Sequence, residues 1–178
     1  MFTGVLKNKI FRVCLVLIII ILPFSSKYRF VKTVGPSMEP TLMDGEWVVI
    51  EKISSLGKSW HPRRLNNVII KDENENLSKR IIGFPGDTVE IRDGLIYLNE
   101  KKLQDPFGEG QISLYHVDKD GEYLTYWNGE DKGLPVVTLV NSVPRKVPEG
   151  YVWVIGDNRR DSWYGLLPLK NIVGKVLY

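Results

Sequence analysis

Thr88-Val89-Glu90-Ile91-Arg92-Asp93-Gly94-Leu95-Ile96-Tyr97-Leu98 decides the fold class. Residues 88–91 alternate, Asp93-Gly94 supplies turn chemistry, and residues 95–98 are a second apolar run. Two β-prone runs around an Asp-Gly pair read as a hairpin, because a two-residue type I′ turn requires positive φ at both central residues and Asp-Gly suits it. Similar short runs lie on either side. Trp47-Val48-Val49-Ile50 follows Asp44-Gly45, and Val68-Ile69-Ile70 comes next. Tyr123-Leu124-Thr125-Tyr126-Trp127 and Pro135-Val136-Val137-Thr138-Leu139-Val140 are further candidates. Tyr151-Val152-Trp153-Val154-Ile155 runs into Gly156-Asp157-Asn158, and a weak strand is expected within 169–177 around Ile172 and Val176. No stretch after residue 26 holds a helical apolar period for three turns. The expectation is an all-β body, barrel-like or sandwich-like. Residues 103–146, richer in Gly, Asp, Glu and Tyr, are expected to form a small lobe or insertion in the main sheet.

Upstream of these strands the composition changes. Residues 1–32 carry Lys7, Lys9, Arg12, Lys27, Arg29 and Lys32 and no acidic residue. The other 146 residues hold 18 basic and 21 acidic side chains. The formal net charge of +3 therefore hides a basic leader on a mildly acidic body. A nucleic-acid binder carries its positive charge on the folded domain, so no nucleic-acid partner is expected. Here the cations flank the apolar run Val13–Leu22, which points to membrane lipid. The fifteen residues from Ile10 to Phe24 reach about 22 Å at about 1.5 Å per residue, against a hydrocarbon core of about 30 Å. Snorkelling of Lys9, Arg12 and Lys27 would extend that reach. A buried core helix does not fit a run that lacks a polar face and has cations on both sides. A cleaved secretory signal fits the basic start, but Pro23-Phe24-Ser25-Ser26-Lys27 offers no small-x-small exit. The expected organisation is a short tail over 1–9, one uncleaved transmembrane anchor over 10–26, and a β-rich domain over 27–178. The amino terminus would lie in the cytoplasm and the β domain outside a bacterial cell membrane.

The residues available for chemistry are few. One cysteine, Cys14, excludes an intramolecular disulfide framework and a cysteine-cluster zinc site. Two histidines, His61 and His116, sit in contexts that suit ordinary structural or exposed roles, so a histidine-dependent triad is poorly supported. Gly83-Phe84-Pro85-Gly86-Asp87 lacks the Gly-Lys-Ser of a phosphate loop, and no cofactor is expected. What remains is a serine with a lysine base. Lysine accepts a proton only when neutral, so its pKa must fall from about 10.4 toward the working pH, as burial among apolar groups achieves. Ser37, between Pro36 and Pro40, and Lys79, opening the run Arg80-Ile81-Ile82-Gly83, have suitable contexts. Context alone reads Ser37 more readily as a turn serine than as a nucleophile.

Three stretches together resemble type I signal peptidases, a family of membrane-bound serine–lysine endopeptidases. Pro36-Ser37-Met38-Glu39-Pro40-Thr41-Leu42 with Asp44-Gly45 resembles the family's nucleophile box. Lys79-Arg80-Ile81-Ile82-Gly83-Phe84-Pro85-Gly86-Asp87-Thr88-Val89-Glu90-Ile91 resembles its general-base box. Gly156-Asp157-Asn158-Arg159-Arg160-Asp161-Ser162 resembles the third, with Tyr164-Gly165, Pro168 and Ile172-Val173-Gly174-Lys175 beyond. The resemblance implies a mainly β fold: a compact antiparallel catalytic domain with coiled sheets, preceded by one N-terminal transmembrane helix. It implies cleavage of signal peptides from exported preproteins after Ala-x-Ala-like sites at the membrane surface, with no obligate protein partner. Ser37 would be the nucleophile and a backbone oxyanion donor, Lys79 the general base, and Ser162 the group that orients Lys79. Met38 and Ile81 would line the substrate pocket. Gly35, Asp157, Asn158, Arg159 and Asp161 would support the site.

The sequence departs from the family at three points. Many relatives carry a hydroxyl two positions before the nucleophile, where Gly35 stands. The region after Ser162 is several residues short, and a rival alignment makes Asp161-Ser162 the start of an Asp-Ser-Arg triplet with Trp163 in place of the arginine. Under that alignment the orienting serine is missing; under either, a supporting salt bridge is lost. Asn66-Asn67 stands where relatives have Gly-Asp. Two other readings stay open: a dedicated maturation peptidase for one pilin-like or conjugation-related substrate, and a non-catalytic tethered β domain that binds exported proteins.

Overall fold

The computed structural model describes residues 9, 12–17, 26–56, 61–72, 75–114 and 138–177. Its strands are β1 (Tyr28–Lys32), β2 (Trp47–Lys52), β3 (Asn67–Asp72), β4 (Glu75–Gly83), β5 (Thr88–Arg92), β6 (Leu95–Leu98), β7 (Lys101–Lys102), β8 (Ser113–Leu114), β9 (Thr138–Leu139), β10 (Arg145–Lys146), β11 (Tyr151–Ile155), β12 (Tyr164–Pro168) and β13 (Ile172–Leu177). The Asp93-Gly94 pair joins β5 to β6 with positive φ at both residues, 48° and 70°, as the sequence requires. A Cβ at Gly94 would also stand 2.7 Å from the Ile112 carbonyl oxygen.

Seven antiparallel strands form the main sheet in the order β1-β2-β13-β3-β4-β11-β12. A four-stranded sheet, β10-β5-β6-β7, and the short β8–β9 pair complete the described strands. Alternation along β11 splits its apolar residues between two cores. Val152 and Val154 join Val68, Ile70, Ile81, Leu167 and Ile172. Trp153 and Ile155 join Ile82, Val89, Ile91, Ile96, Ile112, Val140 and Val147, filling the space toward the smaller sheet. A third cluster of Met38, Leu42, Val48, Ile50, Ile69 and Val176 lies beneath the turn that precedes β2. Each fully buried Val or Ile side chain contributes about 1.5–3 kcal/mol, so these clusters dominate the stabilisation of the sheet. In β13 the register against β3 shifts between Ile172 and Gly174. A one-residue shift exchanges faces, which is how Ile172 and Val176, of equal parity, reach different clusters.

β4 carries the polar exception. Lys79 and Arg80 are 4% and 0% exposed, adjacent on a central strand and therefore on opposite faces. The Arg80 Nε and Nη2 donate to the two oxygens of Asp157, at 2.6 and 2.5 Å. Its Nη1 donates to the Leu65 carbonyl at 2.5 Å. This fork satisfies a guanidinium in surroundings where an unpaired charge would be untenable.

The expected membrane-spanning anchor and single-pass topology are corrected. Among the described residues no helix is long and apolar enough to cross a membrane. Residues 12–17 are helical and exposed, and the rest of 10–26, apart from Ser26, lies outside the described residues. The physical reason was already visible in the run itself: the fifteen residues from Ile10 to Phe24, with Arg12 among them, fall short of the hydrocarbon thickness even as one continuous helix. The candidate strand at 123–127, the first half of that at 135–140, and His116 also lie outside the described residues.

Candidate active site

The segment between β1 and β2 folds back on itself. The Thr33 amide donates to the Glu46 carbonyl at 2.8 Å and the Gly45 amide to the Thr33 carbonyl at 3.1 Å. Within it Pro36–Met38 form one 3₁₀ turn, with Pro at its first position, where a missing N–H costs nothing. Gly35 precedes it at φ 84° and donates its amide to Asp44 Oδ1 at 2.9 Å. Open space surrounds the position its Cβ would take. Met38 is buried in the cluster beneath, so the turn is anchored through its apolar residue and presents Ser37, half-buried, on the other side.

Three segments far apart in sequence meet at Ser37. Lys79 Nζ, from β4, lies 3.1 Å from Ser37 Oγ and 3.2 Å from Ser162 Oγ. Ser162 belongs to the loop between β11 and β12. That loop is tied to the nucleophile turn by Asn158, whose amide donates to the Ser37 carbonyl at 3.1 Å and whose side chain donates to the Pro36 carbonyl at 3.3 Å. Contact at Gly156 is closer still. A Cβ there would stand 2.0 Å from the Ser37 carbonyl oxygen and 2.4 Å from Ser162 Oγ, so only glycine fits.

The hydrogen bonds of Ser162 define what it does to the lysine. Its Oγ accepts from the Gly156 amide at 2.6 Å and donates to the Trp163 carbonyl at 2.9 Å. A hydroxyl has one proton and two lone pairs, so only one acceptor site remains. Toward Lys79 it therefore accepts. A neutral lysine amine that donates one N–H to Ser162 keeps its lone pair for another partner, and Ser37 Oγ is within reach.

Burial pushes Lys79 from its ordinary 10.5 down to about 8, with Asp161 and Asp157 opposing the shift through their negative charge. The Asp161 carboxyl is itself raised, chiefly by burial; Lys79 pulls it down and Glu39 pushes it up. Asp157 is fully buried beneath the loop on Arg80. Burial lowers the pKa of Arg159, whose guanidinium, 5% exposed, bonds the Gly156 carbonyl at 2.6 Å and pairs with Asp105.

The structure thus brings together Ser37, Lys79, Ser162, Gly35, Asp157, Asn158, Arg159 and Asp161. Ser162 lies beside the lysine even though the region that follows it is short. Met38 and Ile81, expected along a pocket, are 3% and 0% exposed and belong to different core clusters. His61 is exposed. Sequence reasoning missed Asp105 and Phe107. No spacing marks them, and the only available signal was the alternation of Asp105, Phe107 and Glu109 with Gly108 and Gly110.

The family described as "Signal peptidase, peptidase S26" matches residues 6–178. The chain is similar to signal peptidase IB of Staphylococcus aureus, 37% identical over 150 residues that cover 81% of this chain and 73% of that protein. It is also similar to signal peptidase I of Bacillus amyloliquefaciens, 35% identical over 145 residues, covering 79% and 69%. A crystal structure of a signal peptidase I from Enterococcus faecalis aligns with a TM-score of 0.39 at 23% identity, covering 67% of this chain and 98% of that one.

Proposed function

The chain belongs to the type I signal peptidase family, peptidase S26, and on that premise we propose that it removes signal peptides from exported preproteins after small-x-small sites through a Ser37–Lys79 dyad. The observation that carries this reading is the 3.1 Å separation of Lys79 Nζ and Ser37 Oγ, with burial lowering the pKa of that amine to about 8.

The chemistry proceeds in two halves. Ser37 Oγ attacks the scissile carbonyl carbon as its proton passes to the Lys79 lone pair. The negative oxygen that forms is stabilised by the Ser37 backbone N–H. The C–N bond then breaks, and the departing nitrogen takes the proton from Lys79. The signal peptide remains as an ester on Ser37. Water attacks that ester, Lys79 again accepts the proton, and the C–O bond to Ser37 breaks with the proton returned to Oγ. Ser162 keeps the amine aimed at Ser37 through both halves. Its own hydrogen bonds leave it no alternative role toward the lysine.

The test uses the full chain and a preprotein with an Ala-x-Ala site. Ser37→Ala is expected to lower kcat/KM by about 10⁴-fold or more. Unchanged cleavage in that variant sinks the dyad. The wild-type rate should also follow deprotonation of Lys79. Below about 8 the amine is protonated and cannot accept, so kcat/KM falls about tenfold per pH unit on the acidic side and levels off above. A profile flat from acidic to alkaline pH contradicts a neutral lysine base.

A further inference from the structure

Residues 105–110 lie in the stretch that reads as a divergent lobe, yet they pack against the back of the loop that carries Ser162. Three alternate residues face it. The Asp105 carboxylate pairs with Arg159. The Phe107 ring lies over Arg80, its centroid 3.7 Å from the guanidinium carbon. Glu109 bonds through its backbone in both directions: its amide donates to the Asp157 carbonyl at 2.8 Å, and its carbonyl accepts from the Arg159 amide at 2.9 Å. The approach is tight enough that a Cβ at Gly108 would stand 2.6 Å from the Arg159 Nε. Both guanidiniums touched by this segment end on the catalytic loop. Arg80 holds the Asp157 side chain and Arg159 holds the Gly156 carbonyl.

We propose that Asp105 and Phe107 are positioning residues of the peptidase reaction, and that segment 105–110 is a strap fixing the 156–162 loop so that Ser162 aims the Lys79 amine. The proposal rests on the Ser37–Lys79 reading. The physical route is short. Phe107 seals the face of Arg80, whose carboxylate partner Asp157 sits one residue from Gly156. Gly156 donates to Ser162 Oγ, and Ser162 accepts from Lys79. Arg80 is also the direct neighbour of Lys79 on β4, with its side chain on the opposite face. The charged groups that act on the amine, Asp157 and Asp161, both lie on the strapped loop. Glu39 acts on Asp161 from the nucleophile turn.

The test compares Phe107→Leu, Phe107→Tyr and Asp105→Asn in the full chain on an Ala-x-Ala peptide, with kcat and KM measured across pH and the folded fraction measured by circular dichroism at the assay temperature. Leucine keeps the apolar volume and removes the ring face; tyrosine keeps the face. Phe107→Leu and Asp105→Asn are expected to lower kcat at least about tenfold with KM unchanged, since small displacements of a base cost large factors in rate. In Phe107→Leu the apparent pKa of the rate should rise from about 8 toward 10.5 as water reaches a less confined amine. Phe107→Tyr should restore both. The proposal is overturned if kcat falls only in proportion to the unfolded fraction, or if the pH profile stays in place while kcat drops. Where Phe107→Leu does not fold, Asp105→Asn and Phe107→Tyr decide by the same readouts. Ser37→Ala run in parallel separates the cases: if it cuts normally, the dyad has failed and not merely the strap.

Discussion

Lys79→Met yields an enzyme that no longer cuts but is harder to unfold. On the proposed dyad, removal of the base lowers kcat/KM by about 10⁴-fold or more. The stability gain follows from the same burial that makes the lysine a base. An unfolded chain protonates this side chain up to about 10.5, the folded chain only up to about 8. Between those values the unfolded state binds more protons, so wild-type stability rises with pH across that window. Below pH 8 both states carry the proton and the folded state bears the full cost of a buried ammonium. A shift from 10.5 to about 8 corresponds to about 3 kcal/mol. Methionine has the length of the lysine stem without its charge. Lys79→Met should therefore unfold in urea with about 3 kcal/mol more stability at pH 7, a gain that shrinks above pH 8 and is absent above about 10.5. A variant less stable than wild type at pH 7 would mean that the amine is stabilised by contacts beyond those seen here.

Asp157→Ala should be the most destabilising single change at the site. Both members of the Arg80–Asp157 pair are fully buried, and the carboxylate takes two of the arginine's hydrogen bonds. Removing one partner strands the other charge, which costs about 3–5 kcal/mol. The double variant Arg80→Met/Asp157→Leu should recover most of that stability, since well-packed apolar groups replace a buried ion pair at little cost. It should not recover activity, because the loop that bears Ser162 has lost its tie to β4. Denaturant midpoints for the single and double variants check the first statement and peptide cleavage the second. A loss of less than about 1 kcal/mol in Asp157→Ala would place the pair in contact with water.

What the sequence revealed follows from where apolar alternation is unbroken. β11 falls on 151–155 as read, because both of its faces are buried and all five residues are apolar or aromatic. β5 and β6 were legible from the Asp93-Gly94 turn. β4 was not read as a strand, because Glu75, Asn76, Ser78, Lys79 and Arg80 break the pattern. Those are polar residues that a site and a buried ion pair require. β1 and β12 escaped for related reasons: Arg29 and Lys32 interrupt the first, and Gly165 and Pro168 the second. In the site, Ser37 and Lys79 were visible through ordered motifs, not through local context. Ser162 was ambiguous on alignment; it lies within hydrogen-bond reach of both Lys79 and Gly156. The contacts of Asp105 and Phe107 could not be read, because their partners lie about fifty and twenty-seven positions away, with no periodicity linking them.

β13 follows every other described strand in the chain yet lies between β2 and β3 in the sheet. The hairpin of β1 and β2 and the hairpin of β3 and β4 are each local, but in the sheet they do not pair with one another; β13 lies between them. The nucleophile turn stands on one side of that gap and the base strand on the other. Closing such a gap requires contacts between segments far apart in sequence, the kind that make folding slow and cooperative. A protease built this way carries its own delay. As it emerges from the ribosome, its serine and lysine are already present in the chain, but the frame that brings them to 3.1 Å is completed by a strand that follows both of them in sequence.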